Sequence, residues 1–246
     1  MMRDSLRRDQ AALNRKHSGI QKPLTKEEKA RIDKILAPNE EDLIKYKDFL
    51  QQPNTGIFRL FPDFDCVSNG VIRVDGNCEN SVPDKWQYSF RWKDYGEDIQ
   101  FKGGKLISNG YRSQGILTKL GDVLLENIST ASGGMKFLLD FKPQVEGEEA
   151  KKQKAQISKG IEADGYNYTN NLKADENMTY ALRLIAYRYK LGLSSGTNKR
   201  IDLTVSFRIV RRDDDGSITI LWKELNRQKA PKLVFAKNEK VSDIKE

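Results

Sequence analysis

The chain of 246 residues carries one histidine, His17, in a polar stretch near its N-terminus. Ser-His-Asp and Cys-His catalysis both need an imidazole held against the nucleophile inside the fold, so the sequence points away from both. Cysteine is nearly as scarce, with Cys66 and Cys78 alone. Structural and catalytic zinc sites draw most of their ligands from Cys and His. One histidine and two cysteines fall short, and no metal site is expected. Gly103-Gly104 and Gly133-Gly134 lack the spacing and the following helix of a phosphate-binding glycine loop, so no nucleotide cofactor is expected either. Long apolar runs are missing: none approaches the ~20 residues that a bilayer-crossing helix requires. Met1 to Gln10 is charged and has no apolar core of the signal-peptide kind. Taken literally, that predicts a cytoplasmic chain. If the sequence is instead a mature exported form, a periplasmic or secreted location is expected.

What is present is a strand pattern. From Ile201, apolar Ile201, Leu203, Val205, Phe207 and Ile209 alternate with Asp202, Thr204, Ser206 and Arg208. Successive side chains of a strand point to opposite faces, so the pattern predicts one dry face and one wet face. Asp213-Asp214-Asp215-Gly216-Ser217 follows, and Asp-Gly suits the positive φ of a tight hairpin turn. Ile218-Thr219-Ile220-Leu221-Trp222 then resumes the β character, giving a long antiparallel hairpin that extends towards Leu225. The aspartates do not make an EF-hand. With Gly216 in the sixth position, Arg211 would be first and Trp222 twelfth, where carboxylates are needed. An isolated hairpin is marginal in water, so its apolar face must cover a core supplied by other segments.

In chain order, residues 1–23 read as a basic arm with Arg3, Arg7, Arg8, Arg15, Lys16 and Lys22. Residues 24–53 read as a helical extension. Thr25 with Glu28 forms a capping box, and Ala37-Pro38-Asn39 breaks the helix. Asn39 then caps a second helix whose Leu43, Tyr46, Phe49 and Leu50 face the β core. Residues 54–236 read as the β domain. Its strands are expected at Ile57 to Phe61, around Val71, at Trp86 to Trp92, Ile99 to Phe101, Leu106 to Ile107 and Gly115 to Leu120. Further strands are expected at Val123 to Ile128, Met135 to Phe141, Ile161 to Tyr168, Tyr180 to Tyr189 and Leu233 to Phe235. Glu146 to Lys159 is rich in Glu, Lys, Gln and Ala and reads as a solvated inserted helix or a loop. Residues 237–246 form a charged tail. The fold class is therefore mainly β: an antiparallel sandwich or barrel with a short N-terminal helical extension and one inserted helix.

Three groups of residues invite a functional reading. Cys66 and Cys78, twelve positions apart across a turn-rich strand, fit a disulfide, which would accord with export. Trp86, Tyr88, Phe90 and Trp92 share one strand face, more simply a core face than a sugar-stacking platform. Beside them Asp94, Glu97 and Asp98 supply the paired carboxylates that glycoside hydrolysis uses. Asn127, Asn167 and Asn177 each begin an N-glycosylation tripeptide, a short pattern that recurs by chance. The formal net charge is +8, spread without a dense basic block, so nucleic acid is the disfavoured partner. The expected function is a non-enzymatic β-rich binding or structural module for a protein or glycan. Trp86, Tyr88, Trp92, Asp94 and Asp98 are its candidate ligand residues. The alternative is a carbohydrate-active enzyme using paired carboxylates on a β-sandwich.

Overall fold

The hairpin read from the sequence is the spine of the structure. In the computed structural model, β12 (Ile201–Arg212) and β13 (Ile218–Gln228) pair antiparallel around the Asp213-to-Ser217 turn, where Gly216 has φ +80°. Residues 36–62, 98–109, 113–187 and 200–234 are described, together with Lys26, Glu27, Ala30 and Lys34 and the backbone of 72–73, 81–82 and 89–90. The chain divides into two units, residues 1–35 and 36–246. The first is described only at its four helical, exposed positions. The Thr25–Glu28 capping box therefore lies outside the described residues, as do both cysteines and all of the 86–92 strand except Ser89 and Phe90.

In the second unit, β1 (Thr55–Leu60), β7 (Ser113–Gly121), β8 (Ile161–Ala163), β9 (Tyr166–Thr169) and β11 (Thr179–Ala186) join the hairpin. Together they form one antiparallel sheet in the order β1-β13-β12-β11-β7-β9-β8. A smaller sheet runs β10-β6-β5-β4, from Asn171–Lys173, Lys105–Ile107, Ile99–Lys102 and Ser89–Phe90. A two-stranded ribbon pairs β2 (Ile72–Arg73) with β3 (Ser81–Val82). The small sheet packs on the large one through Ile99, Phe101 and Leu106, which meet Leu117, Leu182, Val205, Phe207 and Ile220. Tyr180 and Phe207 are cross-strand partners, stacked with centroids 5.4 Å apart at 14°. Such an aromatic pair adds about 0.5–1.5 kcal/mol beyond its buried area. The sheets approach closely at Gly115, where an added Cβ would lie 2.0 Å from Ser108 Oγ. The architecture is mainly β and antiparallel, built as stacked sheets.

The second face of the large sheet departs from expectation. Asp202, Thr204, Ser206 and Arg208 were the expected wet face of β12, yet all four are buried. Helices cover them. Met135 to Phe141, expected as a strand, forms α3 (Met135–Asp140). Gly134 precedes it at φ +77°, Met135 and Leu138 turn inward, and Lys136 pairs with Asp140 one turn on. The expected 146–159 helix is α4 (Gly147–Lys159), but it is less solvated than its composition implies: Ala150, Lys154 and Ile157 are buried. These helices enclose Ile116, Tyr168, Ala181, Ile185 and Tyr187. The expected 233–235 strand reduces to one parallel bridge, Glu146 to Val234. Among the described residues, no helix is long and apolar enough to cross a membrane.

Polar groups on this covered face find partners within it. The Arg183 guanidinium donates to both Asp202 carboxylate oxygens, at 2.8 and 2.7 Å. It also donates to the carbonyls of Leu138, Leu139 and Phe141, the orphaned end of α3. Gln228 donates to Asp202 at 2.9 Å, and the Ser206 hydroxyl to the Tyr180 carbonyl at 2.9 Å. Gln114 joins α4 to the sheet, donating to the Ala150 carbonyl and accepting from the Tyr187 hydroxyl.

Candidate functional site

The other end of the same face holds two short segments rather than long helices. The first is α1 (Glu40–Lys45) with α2 (Lys47–Leu50). Asn39 caps α1 as expected, its side chain accepting from the Glu41 amide at 3.0 Å. Glu40, Glu41 and Asp42 meet the positive end of the helix dipole. The single helix expected here breaks at Tyr46 (φ −101°, ψ 16°). The second segment is residues 122–127. Val123 to Ile128 was expected as a strand, but contains a 3₁₀ turn, Leu125–Asn127. Short apolar runs do not separate strand from helix by period alone, and here Leu125 is the residue that turns inward.

Both segments are pinned from beneath by β12. Three positions separate Arg208 from Arg211, an odd number that would place them on opposite faces of a regular strand. A bulge between Ile209 and Arg211 shifts the register, so Arg208 opposes Leu221 and Arg211 opposes Thr219. Leu221 and Thr219 share a face, and so therefore do the two arginines. Arg208 donates to the Val123 carbonyl at 2.9 Å and to Asp122 Oδ1 at 2.6 Å, and the Thr179 hydroxyl donates to the same carbonyl. Arg211 donates from Nε to Asp42 Oδ2 at 2.7 Å and from Nη2 to Glu41 Oε2 at 3.0 Å. Those bonds, with the Asp42 one foremost, push the guanidinium still further above its ordinary pKa. Lys223 donates to the Glu126 carbonyl at 3.1 Å, and burial holds its amine below the usual lysine value. Between the segments and the sheet, Phe49, Leu125 and Leu221 are buried, with Tyr46, Leu50, Ile57 and Val210 packed around them.

The anchored segments turn apolar side chains outward. Ile44 is 75% exposed, Leu124 60%, Leu43 39% and Val123 36%. These are four of the six exposed large hydrophobic residues among those described, and they sit on two segments that share one core cluster. Clustered exposure of this kind marks interaction surfaces, whereas scattered single residues do not. The sequence offered one sign of it. Ile44 falls off the stripe of Leu43, Tyr46, Phe49 and Leu50, so it had no core position to fill.

Most of the candidates from the sequence lie elsewhere. Trp86, Tyr88, Trp92 and Asp94 are outside the described residues, as are Cys66 and Cys78. Asp98 is described and is 8% exposed at the start of β5, with its backbone carbonyl accepting from the Ser108 hydroxyl at 2.7 Å. The aspartate turn is an ion-pair knot. Arg59 Nη2 lies 2.9 Å from both Asp213 and Asp215, and its Nε donates to Ser217 Oγ at 2.8 Å. Among the described residues, no three His, Cys, Asp or Glu side chains are placed to hold a metal ion. No family model, no curated protein and no solved structure matches the chain.

Proposed function

We propose that the chain is a non-enzymatic β-rich binding module, and that Leu43, Ile44, Val123 and Leu124 form its protein-facing surface. The observation that carries the proposal is their exposure on backbone held rigid by Arg208 and Arg211. Fixed backbone lowers the ordering cost of association, and a few central apolar side chains supply most of an interface's energy. The buried ionisable groups near the sheet, Arg183 and Asp202, are engaged in holding helices rather than facing a cleft.

Site-specific photocrosslinking in the source cells tests the proposal. A photoreactive residue at position 44 and one at position 124 should trap the same protein. One at Lys151, on the exposed side of α4, should not. Excess unmodified chain should compete for the crosslink, while the Ile44→Ser/Leu124→Ser variant should not. Equal competition by both, or crosslinks no different from those at position 151, would rule the surface out.

A further inference from the structure

We infer that the occupant of this surface is a positively charged amphipathic segment of another protein, an inference that rests on the binding role just proposed. The rim supplies the reason. Glu40, Glu41 and Asp48 on the helical segment, and Asp122 and Glu126 on the turn segment, are exposed around the apolar residues. Arg211 and Arg208 answer Glu41 and Asp122 from the sheet side. Glu40 and Asp48 have no ion-pair partner among the described residues. The lysines nearby are partly committed: Lys45 Nζ lies 5.1 Å from the Tyr46 ring centroid, and Lys223 reaches back to the Glu126 carbonyl.

This rim stands out because the chain as a whole carries +8. A locally acidic border on a basic protein selects partners by charge and steers them to one place. It argues against a second copy docking through the same face. A two-fold interface is self-complementary and would set Glu40, Asp48 and Glu126 against the like charges of its mate. An anionic lipid surface is repelled in the same way. A helix with an apolar stripe flanked by Lys or Arg satisfies both parts, its stripe meeting Ile44 and Leu124 and its cations meeting the rim.

Two amphipathic helical peptides of about 18 residues provide the probe, one of Leu and Lys and one of Leu and Glu. Each is titrated into the full chain and followed by fluorescence anisotropy. The Lys peptide should bind saturably and weaken by about tenfold between low and high salt, as exposed charge pairs are screened. Ile44→Ser/Leu124→Ser should weaken it by at least about tenfold, since a central apolar contact is lost. Glu40→Gln/Asp48→Asn should weaken it about threefold and flatten the salt dependence. All four positions are exposed, so the fold survives these changes, and circular dichroism verifies that it does. If the Glu peptide binds as well as the Lys peptide, and Ile44→Ser/Leu124→Ser weakens both, the charge inference fails and the binding surface stands. Binding of neither peptide also overturns the inference, while the crosslinking result judges the surface separately. Lys-peptide binding unchanged in Ile44→Ser/Leu124→Ser overturns both. Binding to anionic phospholipid vesicles that the same variant abolishes would replace the protein segment with a membrane.

Discussion

Replacing Arg183 with Met should remove a large part of the stability of the second unit. The guanidinium and the Asp202 carboxylate are 4% and 3% exposed, and they are joined by two hydrogen bonds. Three carbonyls at the end of α3 depend on the same guanidinium. After Arg183→Met, Asp202 keeps Gln228 alone as a printed partner for a buried negative charge. Leaving one member of a buried ion pair uncompensated costs about 3–5 kcal/mol. The Leu138 carbonyl is also shut away from water, which adds about 1 kcal/mol, while those of Leu139 and Phe141 are less deeply placed and are rehydrated. The expected loss is therefore about 5 kcal/mol, against about 5–15 kcal/mol for a whole native domain. For a domain of this size that lowers Tm by about 10–20 °C.

Urea unfolding followed by both tryptophan fluorescence and circular dichroism measures the loss, provided the two transitions coincide. The double variant Arg183→Met/Asp202→Leu separates orphaned charge from lost packing. It removes the stranded carboxylate and fills the space with apolar atoms, so it should recover about 2–3 kcal/mol relative to Arg183→Met. A loss below about 1.5 kcal/mol for Arg183→Met, or a double variant worse than the single one, would refute the assignment of this pair as the clamp between α3 and the sheet.

Gly115→Ala should cost about 1–3 kcal/mol, because the new Cβ meets both Ser108 Oγ at 2.0 Å and the Ser108 carbonyl oxygen at 2.4 Å. Adding Ser108→Gly clears the first clash but not the second, so urea midpoints should show only partial rescue. Thr118→Val and Thr219→Val should each leave stability unchanged or raise it by about 1 kcal/mol, since both hydroxyls are buried without a hydrogen-bond partner. A loss above about 1 kcal/mol in urea melts would show that they are satisfied after all. Burial pushes the Tyr168 and Tyr180 hydroxyls up to about 12, above the ordinary value near 10. Their stabilising effect is complete below about pH 10, where the unfolded tyrosines begin to ionise, and is lost as pH rises towards about 12. Absorbance at 295 nm should therefore show two tyrosines ionising only as circular dichroism reports unfolding. Their ionisation in the intact fold near pH 10 would contradict the burial.

The elements legible in the sequence were those where two independent signals agreed. Residues 201–228 combine period-two alternation with an Asp-Gly turn, and β11 combines alternation with β-branched and aromatic residues. The misread segments carried one signal. Met135 to Phe141 is an apolar run, and that alone suggested a strand. The helical cues were weaker but present: Met135 and Leu138 three apart, and Lys136 and Asp140 four apart. The bulge after Ile209 had no visible cue, yet it sets which face Arg211 serves. No reading of periodicity alone places both arginines under the surface formed by α1 and the 3₁₀ turn.

The polar face of β12 carries the more general point. Alternation says that two faces differ, not that one of them is wet. Residue type distinguishes the cases better. The outer face of the small sheet bears Lys102, Lys105 and Lys173 in register across three strands, all exposed, and long lysines serve that purpose at the cost of like-charge repulsion. The second face of β12 has no lysine or glutamate; it has Asp202, Thr204, Ser206 and Arg208. Short hydroxyls bond to nearby backbone, and arginine spans several acceptors with a planar fork, so this set suits a covered face. Each arginine there then points to what it covers: Arg183 to the end of α3, Arg208 to Asp122 and Val123, and Arg211 to Glu41 and Asp42. Two of these three tethers end beneath segments whose outer residues are apolar, and it is this pairing of a polar anchor below with an exposed Ile44 and Leu124 above that locates the binding surface on a chain without histidine-based chemistry in its core.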